Sequence, residues 1–433
     1  MDFLMGAPVL VKVLGSLGAI LALNTRFRRL ALSLCAGTLL LALWCGHGPS
    51  AMGLVLWRRM VSWNNLFLLV VIWQVTSLGA QMSATGVMDE MVSAVRSKLS
   101  QRVAMGLLPA LIGLLPMPGG ALFSAPLVDG CDGEGAVPPL LKSQINYWFR
   151  HVWEYWWPLY PGVLLALHYT KLEVWQMILL QLPLSVVAIG GGYIFLLRRI
   201  PAQPGGPRGA VLSVIDRRFV ALLSPIITVV GVYTLVRLTL PAAATWNRYL
   251  PMAIGIAAAM LLVQWQRPVS ADKLRTILFT RRQLSLVGIV MLVRAYGAFI
   301  EAPLANGVPL VETMRSELGQ CGIPVMAIVM LLPFISGLAS GLAIGFVGAS
   351  FPIVVSLLGS DPTLCDMLAT TALAYGFGQA GMMLSPVHVC LIVTNEHFAT
   401  RLLHSLAGLL PPAFVVMVSA VLLHGLLRAL SGC

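Results

Sequence analysis

The sequence predicts an all-α polytopic membrane protein, on the grounds of its composition and of its repeated apolar runs. Of the 433 residues, 58% are hydrophobic and only 10% are charged, and the mean hydropathy is +0.88. An ordinary soluble domain carries about 25% charged residues, and so few charges cannot cover a surface that faces water. The formal net charge of +12 does not indicate nucleic-acid binding, because the basic residues fall between apolar runs instead of forming one patch.

Ten stretches are predicted to cross the membrane, since a helical crossing needs about 20 apolar residues. They are 3–23, 30–45, 65–87, 143–169 and 173–197 in the first half, and 219–240, 251–265, 283–305, 366–395 and 405–427 in the second. Prolines within 143–169 and 366–395 predict broken helices. Amphipathic segments near 51–63, 88–103, 269–282 and 308–318 are expected either to lie in the membrane interface as arms or to be solvated connectors.

Two further apolar stretches, 103–128 and 323–352, are interrupted in the middle by proline, glycine and serine. We interpret both as re-entrant hairpins, and proline-kinked structural helices are the alternative. Lipid cannot satisfy free backbone groups, so non-helical backbone at membrane depth must be buried in protein or line a cavity. The breaks therefore point to a binding site.

The basic residues predict the orientation in the bilayer. Most of the 28 lysines and arginines fall on one side if both termini lie outside, as the positive-inside rule requires for the cytoplasmic side. The linker 198–218 is then cytoplasmic, and the expected location is the inner (cytoplasmic) membrane. The N-terminus lacks a basic region before its first apolar run, so we expect that run to stay in the protein.

The two halves contain matching residues in the same order, which predicts an internal repeat. Leu114-Leu115-Pro116 recurs as Leu331-Leu332-Pro333, and Tyr147, Phe149 and Pro158 recur as Tyr375, Phe377 and Pro386, 228 residues later. Each half has five crossings and one hairpin, and an odd number of crossings makes the repeat inverted. The predicted units are a first repeat 1–200 (scaffold 3–102, hairpin 103–128, broken and final helices 143–197), the linker, and a second repeat 219–433 (scaffold 219–318, hairpin 323–352, broken and final helices 366–427).

Three strings carry a family resemblance: PMPGGALFSAP (116–126), NYWFRHVWEYWWPLYPG (146–162) and SPVHVCLIVTNEHF (385–398). They resemble an uncharacterised prokaryotic integral-membrane family, a domain of unknown function placed near the ion transporter superfamily. The resemblance implies an elevator mechanism, in which hairpins and broken helices move against a dimeric scaffold. The sodium-coupled members of that superfamily carry Ser-Asn-Thr at the hairpin tips, and this chain does not, which leaves substrate class and coupling ion open.

Ionisable and polar residues near the predicted breaks are the candidate site. Charged groups inside a membrane are costly and usually functional. Arg150 and Glu154, spaced i,i+4, are expected either to pair on one helix face or to use the guanidinium for an anion. Arg294 and Glu301 are interpreted as a scaffold ion pair, and the cluster Asn395-Glu396-His397 as a solvated helix terminus. At the repeat offset Tyr160 corresponds to His388. The predicted substrate- and ion-binding residues are Pro118, Gly119, Gly120, Ser124, Asn146, Arg150, Glu154, Ser336, Gly337, Ser340, Ser385 and His388, with sodium as a possible ion at the hairpin tips.

The predicted function is a secondary active transporter of a small organic anion, coupled to sodium or protons, working in the bilayer as a homodimer and without a cofactor. A membrane enzyme or lipid-handling protein using Glu154, His388 or His397, and an anion channel, are the alternatives. No HExxH, GxSxG or nucleotide-binding glycine motif is present in the sequence. The seven cysteines form no CxxC pair, so they are interpreted as packing residues.

Overall fold

The computed structural model describes residues 7–27, 29–87, 90, 93, 99–114, 120–132, 135–201, 216–304, 307, 308, 310–320, 322, 324–359 and 361–431. Their regular structure is almost wholly helical, which confirms the all-α class. The helices of the first half are α1 (Val9–Phe27), α2 (Leu30–Trp44), α3 (Pro49–Met60), α4 (Trp63–Ala84), α5 (Gln101–Gly113), α6 (Ala121–Gly130), α7 (Pro139–Arg150), α8 (Pro161–Thr170) and α9 (Val174–Phe195).

The described helices of the second half also alternate between long and short elements. They are α10 (Arg217–Leu222), α11 (Ser224–Thr239), α12 (Pro241–Trp246), α13 (Leu250–Gln266), α14 (Ala271–Leu278), α15 (Arg281–Ile300), α16 (Leu310–Gln320), α17 (Val325–Ser340), α18 (Ala343–Ser356), α19 (Leu364–Met383), α20 (Val389–His397) and α21 (Leu402–Ser431). The predicted crossing 283–305 is too long, since α15 ends at Ile300, and the amphipathic segment 88–103 lies mostly outside the described residues.

Four helical stretches among the described residues are long and apolar enough to cross a membrane: Trp63–Ala84, Val174–Arg199, Ala271–Ile300 and Leu402–Leu430. A fifth candidate pairs Leu30–Trp44 with Pro49–Arg58 and is bent by 120°, which separates the predicted crossing from the predicted arm. Shorter apolar helices, such as α11 and α13, accompany them. The chain is thus a multi-pass membrane protein, and the count of ten crossings stays a prediction.

The two predicted helix breaks are confirmed. In the first, α7 ends at Arg150 and α8 begins at Pro161, with turns between them; in the second, α19 ends at Met383 and α20 begins at Val389. Pro386 causes the second interruption, because proline lacks an amide hydrogen and clashes with the preceding helical turn. In the first interruption, Pro158 lies among the turns that precede α8, too far along the chain to end α7 itself. The breaks leave the ends of four half-helices inside the packed part of the protein.

The two predicted hairpins are each a pair of helices that pack against each other. Only two residues join α17 to α18, and Gly341 makes the turn at a positive φ of 62°, which favours glycine. Helix α5 packs against α6 in the same way. Most of that tip, 115–119, lies outside the described residues, and with it Pro118, Gly119 and the possible sodium site. Entry and exit on one membrane side stays a prediction.

Contacts between the halves match the predicted repeat. The Tyr147 hydroxyl donates to the carbonyl oxygen of Met382 at 3.4 Å, and the Tyr375 hydroxyl donates to that of Glu154 at 2.8 Å. At the 228-residue offset Tyr147 corresponds to Tyr375, and Glu154 corresponds to Met382. The two hydrogen bonds are therefore equivalent, as a two-fold axis between the copies would require. The described contacts do not give the orientation of the copies in a membrane, so the inverted repeat stays a prediction.

Candidate functional site

A cavity of about 160 Å³ lies where the broken helices meet. Helices α8, α18 and α20 begin at its wall, and their N-cap residues Tyr160, Leu342 and His388 make no side-chain capping hydrogen bond. Helix N-termini carry partial positive charge and free N–H groups, and therefore attract anions. Lining residues come from both halves: Thr76, Arg150, His151, Glu154, Tyr160, Pro161, Gly162, Leu286, Ile289, Leu342, Ala343, Ile344, Met382, His388 and Cys390.

Arg150 is the permanent positive charge of this cavity. It is the last residue of α7 and is only 3% exposed. Its guanidinium lies against the backbone of Gly120, where an added Cβ would come within 2.5 Å of both terminal nitrogens. Gly120 also precedes α6, a fourth helix that begins here without a side-chain cap. The sequence prediction that the hairpin tip and the broken helix share a site is supported by this contact.

The predicted pairing of Arg150 and Glu154 on one helix face is wrong in its geometry. Because α7 ends at Arg150, the next residues form turns and the i,i+4 spacing no longer describes one face. The buried Glu154 carboxylate instead lies 3.8 Å from Nε2 of His151. His151 Nδ1 donates to the Tyr147 carbonyl oxygen at 2.6 Å, which leaves Nε2 as the ring nitrogen for other contacts.

His388 and Cys390 complete the polar wall. The ring centroid of His388 lies 4.8 Å from that of His151 and 5.1 Å from that of Tyr147. The Nδ1 atom of His388 has no hydrogen-bond partner among the described residues. The ligand atoms of His151, His388 and Cys390 lie within 4.8 Å of one another, so this group could hold a soft transition metal. The sequence reasoning missed Cys390, which it treated as a packing residue, although Cys390 stands two positions after a predicted site residue.

The predicted serines divide into two kinds. Ser124 and Ser336 are fully buried, and among the described residues neither hydroxyl has a hydrogen-bond partner. Ser385 donates to the Leu338 carbonyl oxygen at 2.6 Å, so it ties the second break to the hairpin helix α17. Ser340 donates at 3.3 Å to the Leu342 carbonyl oxygen within the hairpin turn. The first pair is enclosed in the packed protein and lines none of the cavities described here, whereas the second pair has a structural bond.

Two more predicted residues hold helices together. Asn146 donates from Nδ2 to the Thr394 hydroxyl at 3.0 Å, which links α7 to α20. Gly337 packs on α19, where an added Cβ would come within 2.3 Å of the Gly378 carbonyl oxygen. In the first half, a Cβ added at Gly113 would likewise come within 2.1 Å of the Arg150 carbonyl oxygen. Hairpin and broken helix therefore pack alike in both halves.

One prediction about the end of α20 is wrong for Asn395. The cluster Asn395-Glu396-His397 was expected to be a solvated terminus, but Asn395 is buried, and its Oδ1 accepts hydrogen bonds from Ser143, Thr400 and Ser405. Glu396 and His397 are exposed, as expected. His397 does not line the cavity in the part of the chain that the structure describes, which separates it from Glu154 and His388.

The fold and this cavity define a class: a helical multi-pass membrane protein with a buried polar site between two broken helices. By its sequence the chain belongs to the family described as "Protein of unknown function (DUF401)", whose model matches residues 10–427. Its fold is similar to that in the crystal structure of the YdaH transporter of Alcanivorax borkumensis, which is described as having an unusual topology. The TM-score is 0.56 at 14% identity, over 89% of this chain and 90% of that one. No curated protein matches the sequence.

Proposed function

We propose that the chain is a secondary active transporter of a small organic anion. The observation that carries this proposal is the meeting of three helix N-termini, those of α8, α18 and α20, with the buried guanidinium of Arg150 around one cavity. The start of α6 at Gly120 lies against the same guanidinium. Arginine stays protonated in proteins, and its planar fork fits a carboxylate through two parallel hydrogen bonds. Burying a charge inside a membrane protein costs free energy, and such charges usually mark the pathway of a substrate or ion.

The architecture supports alternating access. Secondary carriers place their substrate between discontinuous helices of two repeats, and here the breaks of both halves line the same cavity. The fold similarity to a transporter favours the same class. We further propose coupling to sodium or protons, an elevator motion of hairpins and broken helices, a homodimeric scaffold, and a place in the inner membrane with both termini outside.

The first experiment measures ligand stabilisation of the purified protein. Succinate and benzoate, at constant ionic strength and with or without sodium, should raise the midpoint of thermal unfolding, while their neutral amides should not. Uptake of the stabilising anion into proteoliposomes should then saturate with concentration. Flux that is electrogenic but does not saturate would indicate a channel, and chemical turnover of the anion would indicate an enzyme.

Arg150→Lys is the discriminating variant, because it keeps the charge and loses the fork. We expect apparent affinity to fall at least about tenfold, which corresponds to about 1.4 kcal/mol. Arg237→Lys is the matched control, since Arg237 forms a part-exposed ion pair with Glu173 elsewhere in the protein. If Arg150→Gln combined with Glu154→Gln restores both folding and uptake, these charges are structural and the proposed anion site is wrong.

A further inference from the structure

A second polar cavity, of about 580 Å³, lies along the same helices as the central one. Helix α8 lines the central cavity at Gly162 and the second at Tyr169, and α18 lines them at Ile344 and Pro352. At 1.5 Å per residue these steps place the two cavities about 10 Å apart along the helix axes. Helix α15 also contributes to both. The second cavity is therefore a separate space reached along the same helix wall.

The charge of this cavity is mostly positive. Its lining includes Arg58, Lys171 and Arg294, against one acidic residue, Glu301. Its volume falls in the range of sites for small organic ligands, about 300–1,000 Å³. In the predicted topology Arg58 and Lys171 belong to the outer side of the membrane. A cavity with these charges favours anions that arrive from that side.

Arg294 is the buried centre of the second cavity, with 6% of its surface exposed. Its Nε donates to the Asn65 side-chain oxygen at 3.0 Å, and the guanidinium lies 5.1 Å from the centre of the Tyr169 ring. These contacts fix the direction of the side chain. Among the described residues Nη1 makes no hydrogen bond, and its distance to the Glu301 carboxylate, 3.9 Å, is that of an ion pair only.

The Tyr169 hydroxyl is buried beside this guanidinium. Its oxygen interacts with the Arg294 guanidinium, but its O–H has no acceptor among the described residues. Buried polar groups are nearly always hydrogen-bonded, so two such donors on one wall of a cavity indicate a ligand that accepts from both. The sequence interpretation of Arg294 and Glu301 as a scaffold ion pair accounts for the carboxylate, but it leaves these two donors unused.

We infer that this cavity is a second anion-binding site, specific for organic carboxylates. The carboxylate accepts hydrogen bonds from Arg294 and from the Tyr169 hydroxyl, while the apolar part of the ligand lies on Pro352, Val355 and Met367. Binding here does not require transport. A role of this site in transport rests on the proposed function. In that case the anion would bind first here, on the outer side, and then at Arg150 in the central cavity.

The test uses 4-bromobenzoate, because the anomalous signal of bromine locates the ligand in crystals of the full chain. We expect a bromine peak in the second cavity and a rise in the unfolding midpoint that saturates with ligand. Arg294→Gln should remove the peak and lower apparent affinity at least about tenfold. Arg237→Gln removes one charge from the same predicted side, away from the cavity, and should change neither.

Arg58→Gln provides a second test of the site that does not depend on whether Arg294→Gln folds. Arg58 is exposed, so its replacement should leave unfolding without ligand unchanged and weaken 4-bromobenzoate a few-fold, more at low salt. The inference is overturned if no bromine occupies the cavity, or if a peak there survives Arg294→Gln. Failure of the central site is distinguished by Arg150→Gln, which should abolish uptake and leave the second peak in place.

Discussion

Replacing Gly120 by alanine should weaken anion binding while leaving the fold nearly intact. Gly120 precedes α6 with ordinary helical backbone angles, so alanine causes no backbone strain. Its Cβ, however, would come within 2.5 Å of both terminal nitrogens of Arg150 and 2.6 Å of the central guanidinium carbon. The guanidinium is the far end of a flexible side chain and can move away. The variant therefore displaces the proposed anion-binding group itself.

The displacement is large enough to matter for binding. An ordinary contact lies at about 3.5 Å or more, so the guanidinium must move by about 1 Å. A shift of that size lengthens both hydrogen bonds of a bidentate carboxylate, and a hydrogen bond to a charged group contributes about 1.5–3 kcal/mol. We expect affinity to fall by about 10- to 100-fold.

Two other glycines provide the comparison. Gly113→Ala would place its Cβ 2.1 Å from the Arg150 carbonyl oxygen, and since that atom is backbone, we expect a loss of about 1–3 kcal/mol in stability. Gly190→Ala, with no atom within 4 Å, should change neither property. Thermal unfolding and titration with benzoate measure both quantities. A Gly120→Ala protein that binds benzoate like the wild type would refute the placement of the anion at Arg150.

Further predictions concern the base of the first hairpin, the cysteine and the topology. Burial alone would raise the pKa of the Asp132 carboxyl, but hydrogen bonds from Lys142 and backbone amides outweigh burial and hold this pKa below its ordinary value of 3.8. The stability that the carboxylate contributes is therefore present above pH 3.8, and it is lost as the pH falls through the lower pKa of the folded state. Lys142 keeps its ion pair with Asp129, so Asp132→Asn should cost about 1.5–3 kcal/mol at neutral pH and flatten this acid dependence in unfolding curves. Micromolar zinc should protect Cys390 from alkylation; equal labelling rates with and without zinc would show that the cluster binds no metal. Single cysteines at Gly205→Cys and Ser431→Cys, in a background freed of native cysteines, should label from opposite membrane sides, and labelling from one side would contradict the inverted repeat.

The helix breaks and the main site residues were predictable because their causes are local. Proline interrupts the helical turn that precedes it, so breaks near Pro158 and near His388 followed from the sequence alone. The repeat offset then aligned Tyr160 with His388, and both line the cavity. Intramembrane charge made Arg150 and Glu154 candidates, since burying an ionisable group is costly without a function or a partner.

The parts that failed depend on contacts between distant segments. A shared helix face for Arg150 and Glu154 assumed that α7 continues for another turn, and the position of its last residue is a property of the packed fold. Cys390 stands 239 positions after His151 in the chain, and no ligand spacing in the sequence indicates their approach. The burial of Asn395 was equally hidden in the sequence, because its hydrogen-bond donors come from α7 and from the segment after α20.

The crossed tyrosine bonds join two similar backbones whose enclosed side chains differ. Arg150 and Glu154 in one half correspond to Gly378 and Met382 in the other. If the halves were identical, exchanging their conformations would give the same molecule seen from the opposite face of the membrane, and both end states would have equal energy. Charge on one side only of the pseudo-axis removes that degeneracy. In a carrier with the proposed inverted repeat, this asymmetry in charge would favour one resting face even without an ion gradient.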